Sequence, residues 1–263
     1  MWWTFAVAQA AAPAFPEGPV QVVKVYDGDT LTLESGQRVR VVGINTPELR
    51  PLEPFAKEAK TLAEGRVLHQ SVTLTPAGSP PMDHYGRLLA LVSSEDGDLS
   101  EALVRAGFAH VFVLPPKPPN FDALLEAEAT ARTKGLGIWS LPRFQQTFTI
   151  TSFHANARGD DRQNVNGEYL RLCNVSGIPN NLEGWTVENR RGANWTLPAL
   201  EVPAGHTVAI RMGQGETQTS PNAPLTVYLG SRRPRFDNTY DVVVLRDPTG
   251  REVARRQQGK PEN

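Results

Sequence analysis

Near residue 147 the hydrophobic pattern of this chain changes period, and that change decides what it can fold into. From there onward, short β-branched runs alternate with Gly, Asn and Pro turns: TFTITSFHANA, EYLRLCNVSG, LEGWTVEN, GHTVAIRMG, LTVYLG and YDVVVLRDPTG. None has helical spacing. Evenly spaced short strands without helices predict an antiparallel sandwich over residues 147–258. Upstream, strand-like and helix-like stretches are interleaved, so the first half needs a different architecture. A length of 263 residues accommodates two such units.

Residues 20–25, 30–34 and 38–42 read as strands divided by Asp-Gly and Ser-Gly turns, and 72–75 and 88–92 continue the pattern. Residues 53–64 read as a helix with Phe55, Ala59 and Leu62 on one side. Residues 99–106 form a second, with Asp98 as its cap and Gly107 as its stop. Asn120 caps a third over 121–134, whose Leu124, Leu125 and Ala129 face inward before Gly135 ends it. The Gly/Pro-rich stretch 76–84 reads as a loop that delivers Arg87, and 141–146, with Pro142, links the two halves.

The net charge is −1, divided as −3 over residues 1–145 (13 Lys and Arg, 16 Asp and Glu) and +2 over the remainder (14 and 12). That excludes a global basic field, so any electrostatic grip on nucleic acid has to be local. Arg190-Arg191, Arg232-Arg233 and Arg255-Arg256 could form such a patch, or could be solvated strand ends. The single cysteine, Cys173, excludes an intramolecular disulfide and reads as a small buried residue within EYLRLCNV. The first residues, MWWTFAVAQAAAPAFPEG, carry a short apolar run and a cleavage-like Ala8-Gln9-Ala10, but no basic segment before it. Residues 1–18 are therefore expected to be a signal-like or disordered arm, and the protein to be secreted or held at the cell envelope. No stretch is long enough to cross a bilayer as a helix.

Five short pieces of the first half share a chemical logic. They are Asp27-Gly28-Asp29-Thr30, Arg40, Asn45-Thr46-Pro47-Glu48, Tyr85-Gly86-Arg87 and a Gly-Ile-Trp ending at Trp139. Each alone is commonplace; an Asp-Gly pair is usually just a turn. In order, they supply what phosphodiester cleavage requires. Carboxylates, an amide and a backbone carbonyl suit a hard cation, which takes oxygen ligands. Arginine forks suit phosphate oxygens because they stay charged and donate in parallel. A glutamate can handle the proton of a water. Strand alternation places Arg38 and Arg40 on one face and Val39 and Val41 on the other. Gly43 lets that strand bend, and Pro47 stiffens the loop carrying Glu48.

Over roughly residues 20–142, the runs VVKVYDGDTLTLESGQRVRVVGINTPE, DHYGRLLALV, SEALVRAGFAHV and EAEATARTKGLGIWS resemble the staphylococcal nuclease (thermonuclease) family. The resemblance implies a five-stranded OB-fold barrel with flanking helices over residues 19–142. It also implies a calcium-dependent enzyme that hydrolyses DNA and RNA to 3′-phosphate products. It places the ligands of a single Ca2+ on Asp29, Asn45 and the Thr46 carbonyl, with Asp27 nearby as an acid that does not coordinate directly. The family's phosphate-binding arginines fall on Arg40 and Arg87, its catalytic glutamate on Glu48 and its phosphate-contacting tyrosine on Tyr85.

Two departures from the family pattern carry consequences. The second metal aspartate is here Asn45, which removes one negative charge and is expected to weaken calcium binding. In HVFVLPPKPPN the only aromatic is Phe112, so base stacking, worth ~1–3 kcal/mol per base where present, is expected to be reduced. The second half resembles the lamin-tail domain, through NGEYLRLCNVSG, LEGWTVEN and DVVVLRDPTGREV. That resemblance implies an immunoglobulin-like sandwich with no catalytic residues to transfer, used for targeting or for docking a substrate, cell-surface or protein partner. Trp185 and Trp195 are expected in its core, and His154 and His206 are too isolated to suggest a metal site. The overall expectation is an α+β OB-fold barrel followed by an all-β sandwich, monomeric and acting on DNA and RNA. The competing reading is a catalytically weak nucleic-acid- or protein-binding module. The presence of Arg40, Glu48 and Arg87 favours the enzyme.

Overall fold

The five barrel strands of the first half bury a face of their pleat, and closing the sheet on itself is how those faces leave water. In the computed structural model, which describes residues 15–78 and 81–260, the strands are β1 (Val20–Val25), β2 (Thr30–Leu33), β3 (Arg38–Val41), β4 (Gly43–Asn45), β5 (Ser71–Pro76), β6 (Leu88–Ser94), β7 (Gly97–Asp98) and β8 (His110–Phe112). The N-terminal arm expected over residues 1–18 lies, for 1–14, outside the described residues. The sheet runs β3-β2-β1-β5-β6, and parallel pairing of β3 with β6, Arg40 opposite Leu89, closes a five-stranded barrel. Its interior holds Val22, Leu31, Leu33, Val39, Val41, Val72, Leu88 and Val92. Burial of each such side chain contributes roughly 1.5–3 kcal/mol. β4 leaves the barrel to pair with β8, Asn45 opposite His110. Gly43 makes that departure possible, with φ +81 and Leu124 and Pro118 packed where a Cβ would stand.

Helices α1 (Ala56–Val67), α2 (Leu99–Arg105) and α3 (Phe121–Thr133) pack beside the barrel. Helix α1 starts later and runs further than residues 53–64. Phe55 at its mouth is left-handed (φ 68), and the buried stripe Ala56, Ala59, Ala63 and Val67 carries the helix on. Asp98 caps α2 as expected, accepting from the Glu101 N–H at 2.9 Å. Asn120 does not cap α3; its amide donates to Asp98 and Ser100 instead. Ala129 faces solvent, and the inward face is Leu124, Ala127, Glu128 and Ala131. The charged Glu128 lies on that face because Arg132 and the Val111 N–H satisfy it.

The second half is a sandwich. Its strands are β9 (Phe148–His154), β10 (Tyr169–Asn174), β11 (Asn180–Asn181), β12 (Thr186–Asn189), β13 (Asn194–Thr196), β14 (Glu201–Val202), β15 (Thr207–Arg211), β16 (Leu225–Tyr228), β17 (Tyr240–Arg246) and β18 (Glu252–Gly259). One sheet is β16-β15-β10-β9, the other β13-β12-β17-β18, and β11 pairs with β14. Phe148 and Trp185 meet edge to face at 5.0 Å in the core between the sheets. Trp195 is half-buried against Phe236.

Residues 141–146 do more than link the halves. Phe144 is buried with Trp139, Cys173 and Val175 in a small core shared by the two units. Arg132 of α3 donates to the carbonyls of Val175 (2.6 Å) and Ser176 (2.8 Å). Val113 exchanges backbone hydrogen bonds with the sandwich, donating to Gly205 at 2.8 Å and accepting from Thr207 at 3.2 Å. Buried backbone groups are thus satisfied across the junction, which fixes the sandwich against the barrel.

Candidate active site

The loops at one end of the barrel open into a cleft of about 760 Å3 whose walls carry Asp27, Asp29, Arg40, Asn45, Glu48, Tyr85 and Arg87. Seven of the eight residues singled out in the sequence therefore share one opening. The eighth, Thr46, is buried behind it, where its N–H and hydroxyl donate to Asp29 Oδ2 at 2.9 and 3.0 Å.

The turn between β1 and β2 brings the acids in. Gly28 is required there because a Cβ would stand 2.6 Å from the Thr46 Cγ2 and 2.9 Å from the Ala59 Cβ. Only with that close approach can Asp27 and Asp29 both turn toward the β4 loop. Asp27 Oδ1 accepts from the Asp29 N–H at 3.1 Å. Both carboxylates are nearly buried. Burial first, and then the negative charge of Asp29, push the Asp27 carboxyl up to about 7, with Arg40 opposing.

Arg40 lies on the outer face of β3 as alternation requires, with Val39 and Val41 in the core. Its guanidinium is drawn inward. Nη2 lies 2.9 Å from the Ile44 carbonyl and 3.3 Å from each of Asn45 Oδ1 and Asp29 Oδ2, while Nη1 donates to the Val41 carbonyl. Three oxygens thus converge on one cationic nitrogen. Among the described residues no trio of His, Cys, Asp and Glu forms a metal cluster. The Asp29 carboxylate and the Asn45 amide oxygen of the set around Arg40 suit a hard cation; the carbonyl beside Arg40 is that of Ile44, while the expected Thr46 carbonyl accepts from Asn45 Nδ2 at 3.4 Å. A cation there would also offset the repulsion between Asp27 and Asp29.

Arg87 is presented by the turn after the Gly/Pro loop. Asp83 Oδ2 accepts its Nε–H at 2.7 Å, and Asp83 Oδ1 accepts the backbone N–H groups of Tyr85 and Arg87. The Arg87 guanidinium also lies 5.4 Å from the Tyr85 ring centroid, and Tyr85 is exposed at the rim. Glu48 is accessible at the mouth of the cleft. Its partial burial, followed by the charges of Asp29 and Glu53, raises its carboxyl above the usual range. Glu53 accepts from the Glu48 N–H at 3.1 Å and pairs with Arg143 and Arg256, so the Glu48 loop is tied to both halves of the chain.

Sequence reasoning missed Asp83 and Glu53. The four-residue spacing of Asp83 and Arg87 was a readable signal; the partners of Glu53 come from distant segments and left none. It also missed that Thr151, Ser152, His154, Tyr169 and Arg171 of the sandwich line the same cleft. Trp139 is not at the site. It is fully buried under Arg132, whose guanidinium sits 4.6 Å from its ring, and seals the base of the unit.

Comparisons with known proteins agree with this architecture. A family model described as staphylococcal nuclease homologue matches residues 38–141, and one described as Lamin Tail Domain matches residues 145–260. The chain is 32% identical over 125 residues to a thermonuclease of Staphylococcus intermedius, covering 45% of this chain and 74% of that protein. It is 30% identical over 149 residues to Protein ParB of Escherichia coli, covering 52% and 81%. It is 27% identical over 159 residues to a micrococcal nuclease of Shigella flexneri, covering 56% and 88%. With the closed barrel, its three helices and the sandwich behind them, these matches establish that the chain belongs to the staphylococcal nuclease family and carries a lamin tail domain.

Proposed function

We propose that this protein is a calcium-dependent phosphodiesterase that cleaves DNA and RNA and leaves 3′-phosphate ends. The observation that carries this reading is the convergence of Glu48, Arg40, Arg87 and the Asp29–Asn45 oxygens on one cleft. Asp29, Asn45 and the Thr46 carbonyl would hold the ion, with Asp27 beside them. A bound calcium ion supplies Lewis-acid polarisation of a phosphate oxygen and orientation of a water.

The chain's own residues do the rest. Arg87, held by Asp83, points its remaining guanidinium nitrogens where the added charge on phosphorus must be met. Preorganised donors of this kind are typically worth ~3–4 kcal/mol each. Arg40 Nη2 contacts the Asp29 and Asn45 oxygens that would hold the ion; with those oxygens engaged elsewhere, its fork would be free to meet a phosphate. Glu48 accepts the water's proton, and its raised carboxyl makes it a stronger base than an ordinary glutamate. Tyr85, at the rim, donates its hydroxyl to a neighbouring phosphate.

The test is to incubate the purified protein with single-stranded DNA, duplex DNA and RNA in calcium, in magnesium and in chelator, and then to analyse the cut ends. Cleavage in calcium alone with 3′-phosphate ends is the expected outcome. Rates undiminished by chelator overturn the metal, and 5′-phosphate ends overturn the product.

A further inference from the structure

The sandwich meets the cleft through the outer face of the sheet β16-β15-β10-β9. Strand register sets His154, Tyr169, Arg211 and Tyr228 in one row across its four strands, with Ser152 and Arg171 in the next. Leu170, Leu172, Ile210 and Val227, on the other side of the pleat, fill the sandwich core. Further along β10 on the same outer face, Cys173 Sγ lies 3.5 Å from the Val111 carbonyl of the barrel unit. One end of this face is therefore docked, and the other end stands open beside Arg40, Glu48 and Arg87.

What stands open is chemically specific. The His154 and Tyr169 rings stack at 4.4 Å and 17°, and the Arg211 guanidinium lies 5.3 Å from the Tyr169 ring. Both rings are half-buried. Among the described residues Arg171 forms no ion pair; its Nη1 donates to Thr207 Oγ1 at 3.4 Å. A largely enclosed guanidinium with no carboxylate carries an uncompensated desolvation cost, which an incoming anion relieves.

We propose that this face is the second wall of the substrate channel, binding the nucleic-acid strand beside the scissile phosphate, with a backbone phosphate on Arg171 and a base against His154 on the side away from Tyr169, which backs it. The proposal rests on the nuclease reading above and names its substrate as single-stranded. A base offers its π-face to an aromatic side chain only when it is free of a duplex stack. The pairing of cation and aromatic is how sequence-tolerant single-strand sites are built. It would add, from the sandwich, to the stacking expected to be reduced near Phe112.

The test compares kcat/KM for a dinucleotide and for a single-stranded oligonucleotide of about eight residues, in the full chain. The site size of one such binding surface is roughly 4–16 nucleotides, so the wild type is expected to favour the longer substrate through KM. Tyr169→Ala, His154→Ala and Arg171→Gln are each expected to shrink that preference by roughly ten-fold, the effect of losing one stacked base or phosphate contact. Tyr169→Phe, which keeps the ring, is expected to retain it. His154 and Tyr169 lie on different strands, so agreement between their variants separates a lost contact from a disturbed fold. A wild type that cleaves neither substrate overturns the nuclease reading, and the channel with it. A wild type without a length preference, or variants that keep it unchanged, overturn the channel alone.

Discussion

Asp83 grips Arg87 at two points, accepting the side-chain Nε–H at 2.7 Å and the backbone N–H at 3.0 Å. Burial alone would raise the Asp83 carboxyl, but the bonds from Arg87 outweigh it and hold the group below its usual range. The guanidinium is thereby aimed before any substrate arrives. Asp83→Ala should lower kcat/KM by up to about 100-fold, the scale of a small misplacement of a catalytic group, with the melting temperature little changed. Steady-state kinetics beside a thermal melt checks both halves.

Among the described residues the Glu48 carboxylate has no hydrogen-bond partner; only its backbone is engaged, its N–H by the Glu53 carboxylate and its carbonyl by the Glu53 N–H. Glu48→Gln should therefore cost activity without costing stability. A loss of about 10²–10⁴ in kcat is expected for a proton-handling group. A rate within a few-fold of wild type would remove Glu48 from the chemistry.

Arg40 and Asp29 form a nearly buried pair at 3.3 Å. Breaking such a pair leaves a buried charge and costs roughly 3–5 kcal/mol. Arg40→Ala should melt well below wild type in chelator and should recover more on adding calcium than wild type does, because the ion replaces the lost charge. Equal calcium shifts in the two proteins would separate the ion from Asp29.

Asn45 presents its amide oxygen to Arg40 Nη2 at 3.3 Å. Asn45→Asp restores one negative charge to the proposed ion site. It should lower the half-saturating calcium concentration roughly ten-fold, since affinity follows ligand charge. Calcium titration of activity or of binding heat reports it directly.

His110 is buried between Phe112 and Phe144, with Nδ1 2.9 Å from the Val111 carbonyl. Burial lowers its pKa from 6.5 to about 4. Between those values the unfolded chain binds a proton that the folded chain refuses, so stability is full above 6.5 and falls as pH drops toward 4. The shift corresponds to a loss of up to about 3 kcal/mol. His110→Phe should flatten the acid side of the stability profile, read as the difference in melting temperature between neutral pH and pH ~5.

Much of the architecture follows from local pattern. Alternation in 38–41 put Val39 and Val41 in the barrel and Arg40 outside it, and that needs only the period of a strand. The short β-branched runs after residue 147 became a sandwich for the same reason. The order of the motifs was enough to name seven residues that share the cleft. Local pattern failed where a long-range partner took over. Helix α1 begins after Phe55 because that residue is left-handed. Asn120 abandons its capping role for Asp98 and Ser100 on another helix. Ala129 is exposed because the buried face of α3 is rotated to bring Glu128 under the Val111 N–H.

The sequence by itself determined the two folding units and the identities of the groups proposed to meet a phosphate, because strand period and residue chemistry are local properties. Tertiary structure alone decided that Asp27 is buried, beside Asp29, enough to raise its carboxyl, that Arg40 draws its guanidinium onto oxygens of Asp29, Ile44 and Asn45, and that the sandwich turns Arg171, Tyr169 and His154 into the same cleft. The first two are set where the β1–β2 turn meets β3 and β4 inside the barrel unit, and the third only when the small core around Phe144 and the Arg132 bonds lock the two units together.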